Sequence, residues 1–173
     1  MAPVNSELKI LMKTLFLLRH AKSAHNDLSL TDRSRPLTEE GLKQAKALGK
    51  MLAHREIHLD LMISSPAIRT LQTSQLIAEQ INYPFQNIVL VERIYNASKD
   101  DLLHVLQRCP KDLKHIMLVG HNPGLSNLAQ FFSEEIAEMN TCTLVQFKID
   151  IQSWDQIKKI QANQIRLDFY HEA

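Results

Sequence analysis

The stretch TLFLLRH, residues 14–20, combines a short apolar run with a basic ending. The four apolar residues from Leu15 to Leu18 are typical of a strand that is buried on both faces of a parallel sheet. Arg19 and His20 follow directly, at the point where this strand ends. Open α/β sheets bind ligands in the crevice beyond the carboxyl ends of their strands, so the pair predicts a site for an anion.

The composition predicts one globular domain that spans residues 1–173. Apolar residues make up 45% of the chain and charged residues 23%, which argues against extensive disorder and predicts a core without disulfide or metal staples. The formal net charge of +1 gives no overall attraction to nucleic acid or to an anionic membrane. Any anion site must therefore be local.

Two further features concern the surroundings of the protein. Its two cysteines, Cys109 and Cys142, are too few for a disulfide framework and are typical of free thiols in a reducing compartment. No apolar run approaches the length of a membrane span. We therefore expect a cytoplasmic protein without a membrane partner, in which residues 1–13 form a loosely ordered N-terminal extension.

Strand and helix patterns alternate along the chain. Strands are predicted at residues 14–19, 59–63, 87–92, 115–119, 143–149 and 164–170, and residues 21–37 form a loop over the end of the first. Helices begin after the caps Thr38, Ser65 and Asn122, and a further helix covers Lys99 to Gln107. This order predicts a three-layer α/β/α sandwich on a mainly parallel sheet, with the last two strands at its margin.

Basic side chains follow three of the predicted strands. Arg19 and His20 end the first, Arg69 lies in the first turn of the helix after the second, and His121 follows the strand at 115–119. The carboxyl ends of parallel strands share one edge of the sheet, so these side chains are expected to converge there. A phosphoryl group is the predicted ligand, because its oxygens match the arginine fork and the cluster needs a dianion.

The same residues can transfer a phosphoryl group as well as bind it. A neutral imidazole in line with phosphorus is a competent nucleophile, which predicts a covalent phosphohistidine on His20 that water later hydrolyses. His121, if protonated beside the dianion, would be a further cationic donor. Glu92, at the end of another predicted strand, is the best candidate to protonate the leaving group and then activate water.

Four segments resemble, in order and spacing, the motifs of the histidine phosphatase superfamily: LRHAKSAHN (18–26), SSPAIRTLQT (64–73), VERIYNA (91–97) and VGHNPG (119–124). The likeness extends from about Leu15 to Phe132 and is nearest to the short phosphohistidine phosphatases, which act on histidine phosphotransfer proteins. It implies a phosphoglycerate-mutase-like fold and a reaction through phosphohistidine. We expect no metal site and no organic cofactor.

The resemblance also implies a role for each matching residue. His20 falls on the nucleophile and Glu92 on the acid. The residues that bind the phosphoryl group would be Arg19, Arg69, His121, Asn26 and Arg35. The chain departs from the family at Ala21, where most members have glycine, and we expect the added methyl group to tighten the pocket slightly.

Several alternatives stay open from the sequence. The substrate is either a phosphorylated protein or a small phosphate ester, and a non-catalytic phosphate-binding module would use the same arginines. A mutase would need a lid against water, and the chain has no insertion of that size. Glu92 could instead be a salt-bridge partner of an arginine, and the basic loop with Lys22, Arg33 and Arg35 could be merely solvated or could steer an anionic substrate.

Overall fold

The computed structural model describes residues 12–25 and 29–173. It contains the strands β1 (Lys13–Arg19), β2 (Leu61–Ser64), β3 (Val89–Leu90), β4 (His115–Gly120), β5 (Leu144–Ile149) and β6 (Ile165–His171). They form one sheet in the order β3-β2-β4-β1-β5-β6. The strands from β3 to β1 are parallel, whereas β5 pairs antiparallel with β1 and with β6. The mainly parallel sheet and its different margin are thus confirmed.

In the described part of the chain, four α-helices cover the two faces of this sheet, namely α1 (Glu39–His54), α2 (Ile68–Gln80), α3 (Lys99–Gln107) and α4 (Gly124–Phe132). α1 and α2 pack together on one face, and α3 and α4 lie on the other. The arrangement is the predicted three-layer α/β/α sandwich. Among the described residues, no helix is long and apolar enough to cross a membrane.

The alternation of side chains along β1 connects the two cores. Leu15 and Leu17 belong to the cluster on the α3 and α4 side, whereas Phe16 and Leu18 belong to the cluster on the α1 and α2 side. All four are at most 2% exposed. Successive side chains of a strand point to opposite faces, so an unbroken apolar run is what a central strand covered on both sides requires.

Several element boundaries differ from the sequence prediction, and α4 begins at Gly124 after Pro123 rather than directly after the predicted cap Asn122. α2 begins at Ile68, not after Ser65, because the Ser65 N–H still donates to the Val119 carbonyl at 3.1 Å and continues the sheet. Arg69 nevertheless lies in the first turn, as predicted. β3 ends at Leu90, because residues Glu92–Ile94 form a 3-10 helix.

The chain between residues 21 and 37 folds back over the end of β1. Ser23 forms an isolated bridge with Leu37, and the Ala24 N–H donates to the Pro36 carbonyl at 2.9 Å. Residues Asp32–Ser34 form a short 3-10 helix. The basic part of this loop is therefore held beside the sheet edge, although residues 26–28 lie outside the described part of the chain.

The start of α4 packs closely against the segment after β3. A Cβ atom added to Gly124 would lie 2.1 Å from the Ala97 carbonyl oxygen, so only glycine allows this approach. Next to it, the Asn122 Oδ1 atom accepts from the Ser126 N–H at 3.3 Å and from its hydroxyl at 2.9 Å. These contacts fix the turn that contains His121.

Candidate active site

The carboxyl ends of β1 and β4 and the start of α2 border a polar cavity of about 320 Å³. Five of the seven predicted site residues line it: Arg19, His20, Arg35, Arg69 and His121. Asn26 lies outside the described residues, and Glu92 does not line the cavity. The convergence predicted from the strand ends is therefore present for most of the set.

The backbone carbonyl of Ala21 holds the ring of His20 in one orientation. This ring is 7% exposed, and Nδ1 lies 2.8 Å from the carbonyl oxygen of Ala21. Because a carbonyl can only accept, Nδ1 carries the proton and Nε2 keeps its lone pair. Nε2 in turn lies 3.3 Å from the donating Nε of Arg69. The nitrogen that can attack phosphorus thus lies beside a guanidinium group.

Arg69 connects the two imidazoles. This side chain is 4% exposed and extends from the first turn of α2, and its Nη2 lies 3.2 Å from Nδ1 of His121. A guanidinium can only donate, so His121 accepts on Nδ1 and donates from Nε2 to the Ser65 hydroxyl at 2.8 Å. The rings of His20 and His121 have their centroids 5.2 Å apart.

Both imidazoles are neutral at neutral pH in this arrangement. Burial is the largest cause and, with the Arg69 and Arg19 cations, lowers the pKa of His20 from 6.5 to about 3, although the hydrogen bond to Ala21 opposes the shift. Burial and then Arg69 lower the pKa of His121 to about 3 as well. A neutral His20 is the form that a nucleophile requires.

Arg19 completes the basic side of the cavity. Its Nη1 donates to the carbonyl of Met139 at 2.9 Å, and the same oxygen accepts from the Asn122 amide at 2.8 Å. Burial lowers the pKa of Arg19, yet a guanidinium remains charged in proteins. The end of β1 therefore presents a fixed cation next to His20.

Asp32 is a member of the site that the sequence analysis missed. Its carbonyl accepts from Arg69 Nη1 at 2.6 Å and its Oδ2 from Arg69 Nη2 at 3.0 Å. Oδ2 also accepts from the Tyr95 hydroxyl at 2.7 Å, and the carboxylate forms an ion pair with Arg35. The available signal was the spacing of Asp32 and Arg35, three residues apart in the loop.

Comparison of the sequence with models of protein families identifies the family of this chain. Residues 15–97 match the model of the histidine phosphatase superfamily, branch 1. The chain belongs to this superfamily. The matched residues include Arg19, His20 and Arg69 of the cavity, and the sequence resemblance is confirmed.

One curated relative and one solved structure are similar to this histidine phosphatase over most of its length. An uncharacterised protein of Mycobacterium tuberculosis is 32% identical over 112 residues, which cover 65% of this chain and 67% of the relative. A crystal structure provisionally assigned as the phosphohistidine phosphatase SixA of Agrobacterium tumefaciens has 25% identity and a TM-score of 0.79, covering 93% of this chain and 98% of its own.

A further solved structure shares the fold at lower identity. The protein histidine phosphatase SixA in complex with tungstate has 16% identity and a TM-score of 0.76, and the superposition covers 92% of this chain and 96% of that one. This second structure shows the fold alone. The family match supports a phosphatase activity for this chain and leaves its substrate to be proposed.

Glu92 lies outside the lining of the cavity, unlike the other predicted site residues of this histidine phosphatase that the structure describes. Its side chain is 71% exposed, and Oε1 accepts from Arg33 Nη2 at 2.5 Å. The salt bridge that the sequence left open is therefore present. The acid role of Glu92 remains a prediction, since this carboxylate lies at the start of the 3-10 helix and outside the lining of the cavity.

Ala21 does not narrow the cavity of the histidine phosphatase as expected. Its side chain is fully buried and belongs to the core cluster on the α1 and α2 side. Its N–H donates to the Thr73 hydroxyl at 3.0 Å, and its backbone lies outside the left-handed region that favours glycine. The extra methyl group thus fills the core and leaves the ligand site unchanged.

Proposed function

We propose that this chain is a phosphatase that works through a phosphohistidine on His20. Nε2 of His20 attacks the phosphorus atom, the bond from phosphorus to the leaving group breaks, and water then hydrolyses the new nitrogen–phosphorus bond. One observation carries the proposal. The Ala21 carbonyl holds the proton on Nδ1, so the lone pair of Nε2 faces the guanidinium of Arg69 inside the basic cavity.

The surrounding donors fit the charge that develops during this transfer. Arg19, Arg35 and Arg69 line the cavity, and guanidinium groups match the equatorial oxygens of a phosphoryl group. Burial and Arg69 keep the pKa of His121 at about 3, and a bound dianion would raise its proton affinity, which would make it a further cationic donor. In our proposal these four residues bind the phosphoryl group, and Asn26 joins them from the loop.

Glu92 is the proposed proton donor to the leaving group. Its carboxylate pairs with Arg33 in the structure, so it must exchange that partner for the leaving group during the reaction. An alkoxide needs such a proton more than an imidazole does. The proposal therefore gives Glu92 its largest role with alkyl phosphates.

The substrate that we propose is a phosphohistidine on a phosphotransfer protein. The 25% identity to the SixA relative supports this choice. Apolar side chains at the same edge of the sheet also fit a protein surface: Ile68, next to Arg69, is 38% exposed, and Leu90, in register with Ser64, is 48% exposed. The free thiols of Cys109 and Cys142 agree with a cytoplasmic location.

Trapping of the phosphoenzyme tests the mechanism. The protein would be mixed with a phosphate-labelled substrate, denatured within milliseconds at alkaline pH, and mapped by mass spectrometry. We expect acid-labile label on His20, and none in His20→Asn. Label on another residue, or turnover without label on His20, would reject the proposed nucleophile.

Two further measurements separate the alternatives. Dephosphorylation of a phosphohistidine carrier protein should exceed that of small phosphate esters in kcat/KM, and the opposite order would favour the phosphomonoesterase alternative. If the chain were a non-catalytic binding module, the wild type and His20→Ala would bind a phosphorylated ligand equally well. Neither protein would hydrolyse it. Steady turnover by the wild type that is absent from His20→Ala would therefore exclude the binding module.

A further inference from the structure

We propose that Asp32 selects substrates by the charge of their leaving group. The inference rests on the proposed phosphatase function and adds a substrate class to it. Asp32 favours phosphorylated groups whose leaving part is neutral or positively charged. It disfavours those that carry a second negative charge beside the phosphate.

Several contacts fix the position of the Asp32 carboxylate. Arg69 binds both the carbonyl oxygen and Oδ2 of this residue, at 2.6 and 3.0 Å. The Tyr95 hydroxyl donates to Oδ2 at 2.7 Å, and Arg35 pairs with the same carboxylate. Because donors approach from α2, from the residue after the helix Glu92–Ile94 and from the loop of Asp32 itself, the negative charge stays at the cavity wall when a substrate enters.

The charges of the cavity explain what this carboxylate does. Three guanidinium groups, those of Arg19, Arg35 and Arg69, and one carboxylate, that of Asp32, line it. The described lining therefore carries an excess of two positive charges, and these, together with His121 once the dianion has protonated it, are taken up by one phosphoryl dianion. Among the described residues that line the cavity, no guanidinium is left for a second anionic group, since Asp32 already pairs with Arg35 and with Arg69.

Exposure places Asp32 where the leaving group passes. The side chain of Asp32 is 46% exposed, whereas His20, Arg69 and His121 are 4–7% exposed. A phosphoryl group at His20 therefore lies deep, and the remainder of the substrate extends past the carboxylate toward solvent. Two charges about 6 Å apart in such a partly exposed site interact strongly enough to change a rate roughly tenfold. The leaving imidazole of a phosphohistidine gains a proton and so fits this position.

A series of matched esters tests the selection. Phosphoethanolamine, ethyl phosphate and phosphoglycolate are two-carbon phosphate monoesters that differ at the far carbon, which bears an ammonium group in the first, is a methyl group in the second and is the carboxylate carbon in the third. For the wild type we expect kcat/KM to fall in that order, by about tenfold for each step at low salt. The differences should shrink in 0.5 M salt, because ions screen the interaction.

Asp32→Asn assigns the effect to this residue. Asparagine keeps the shape and an acceptor oxygen for Tyr95 and Arg69, and it removes the charge. In this variant we expect the kcat/KM values of the three esters to lie within about threefold of one another. Asp112→Asn makes the same change of net charge at an exposed residue before β4, at the opposite end of the sheet, and should keep the wild-type order.

The outcomes separate this inference from the proposed function. A His20 phosphoenzyme with a flat or reversed preference in the wild type, or an unchanged spread in folded Asp32→Asn, overturns the charge selection and leaves the phosphatase in place. If Asp32→Asn does not fold, the question is decided by the order of the kcat/KM values of the wild type and by the decrease of their differences in 0.5 M salt. Absence of a phosphoenzyme with every ester and with a phosphohistidine carrier overturns both.

Discussion

The two halves of the cavity are built in different ways. His20, Arg69 and His121 lie on strand ends or the first turn of a helix and are 4–7% exposed. Asp32 and Glu92 lie on short 3-10 helices, with side chains 46% and 71% exposed. The first half is fixed by the packing of the sheet. The second is held by ion pairs, those of Glu92 with Arg33 and of Asp32 with Arg35 and Arg69.

This difference separates the tasks of the site. A buried guanidinium next to a neutral imidazole has little freedom, so it can stabilise a transition state without first reorganising. Exposed ion pairs such as Arg33 with Glu92 contribute little to stability and exchange partners easily. We infer that the buried half performs the chemistry and that the exposed half tunes which substrate enters and how the leaving group departs.

The largest effect is expected from a change in the buried half. Arg69→Lys keeps a positive charge and loses the fork that contacts His20, His121 and Asp32. We expect kcat/KM to fall by roughly a hundredfold to a thousandfold on every substrate. Steady-state kinetics on a phosphohistidine carrier and on an alkyl phosphate would measure it. Arg108→Lys, at an exposed position after α3, is the matched control and should change neither value appreciably.

A loss below about tenfold in Arg69→Lys would contradict this comparison, because it would mean that the buried half needs only charge at this position. A loss confined to one substrate would move Arg69 from chemistry to substrate selection. The expected result is an equal loss on both substrates.

The buried half should also give the protein a pH-dependent stability. The pKa of His121 is lowered from 6.5 to about 3, so the unfolded chain takes up a proton below pH 6.5 that the folded chain does not. The free energy of unfolding therefore decreases as the pH is lowered from 6.5 to 3. This imidazole accounts for a decrease of about 2 kcal/mol between pH 6.5 and pH 5. Urea denaturation at pH 5 and pH 7 should show a smaller difference for His121→Gln than for the wild type. An identical difference in the two proteins would place the sensitivity elsewhere.

The exposed half is tested by the acid role of Glu92. Glu92→Gln should lower kcat about tenfold on an alkyl phosphate, since the alkoxide leaves without its proton. The loss on a phosphohistidine carrier should be smaller, because imidazole is a better leaving group. Equal losses on both substrates would count against Glu92 as the acid, and no loss on either would leave it as the salt-bridge partner of Arg33 alone.

The sequence was sufficient for the buried half of the site and insufficient for the exposed half, and the reason is physical. Apolar runs that end in Arg19-His20 and before His121 predict strands, and parallel strands necessarily bring their carboxyl ends to one edge. The family resemblance then assigned the roles. Asp32 was missed because its spacing to Arg35, the one local signal, does not indicate that the carboxylate will fold onto Arg69, 37 residues away.

The boundaries of single helices and strands were likewise determined by contacts that the local sequence does not show. The cap predicted at Ser65 has the local pattern of a helix start, but a hydrogen bond to Val119 extends the strand register through that residue. The strand predicted at 87–92 is cut short, because Glu92–Ile94 turns into a 3-10 helix. In both cases contacts with distant residues decided between two locally acceptable conformations.

The smallest effect is expected where the chain departs from its family. Ala21→Gly removes a methyl group that is buried against the α1 and α2 core and does not line the cavity. We expect kcat/KM to stay within about twofold, and the free energy of unfolding to fall by about 1 kcal/mol from the lost burial and the added freedom of the unfolded chain. Kinetics and urea denaturation would be measured on the same preparation. The carbonyl of the same residue orients His20, so the prediction also requires that the backbone stays in place without the methyl group. A clear rise in activity would contradict the separation of the Ala21 side chain from the site.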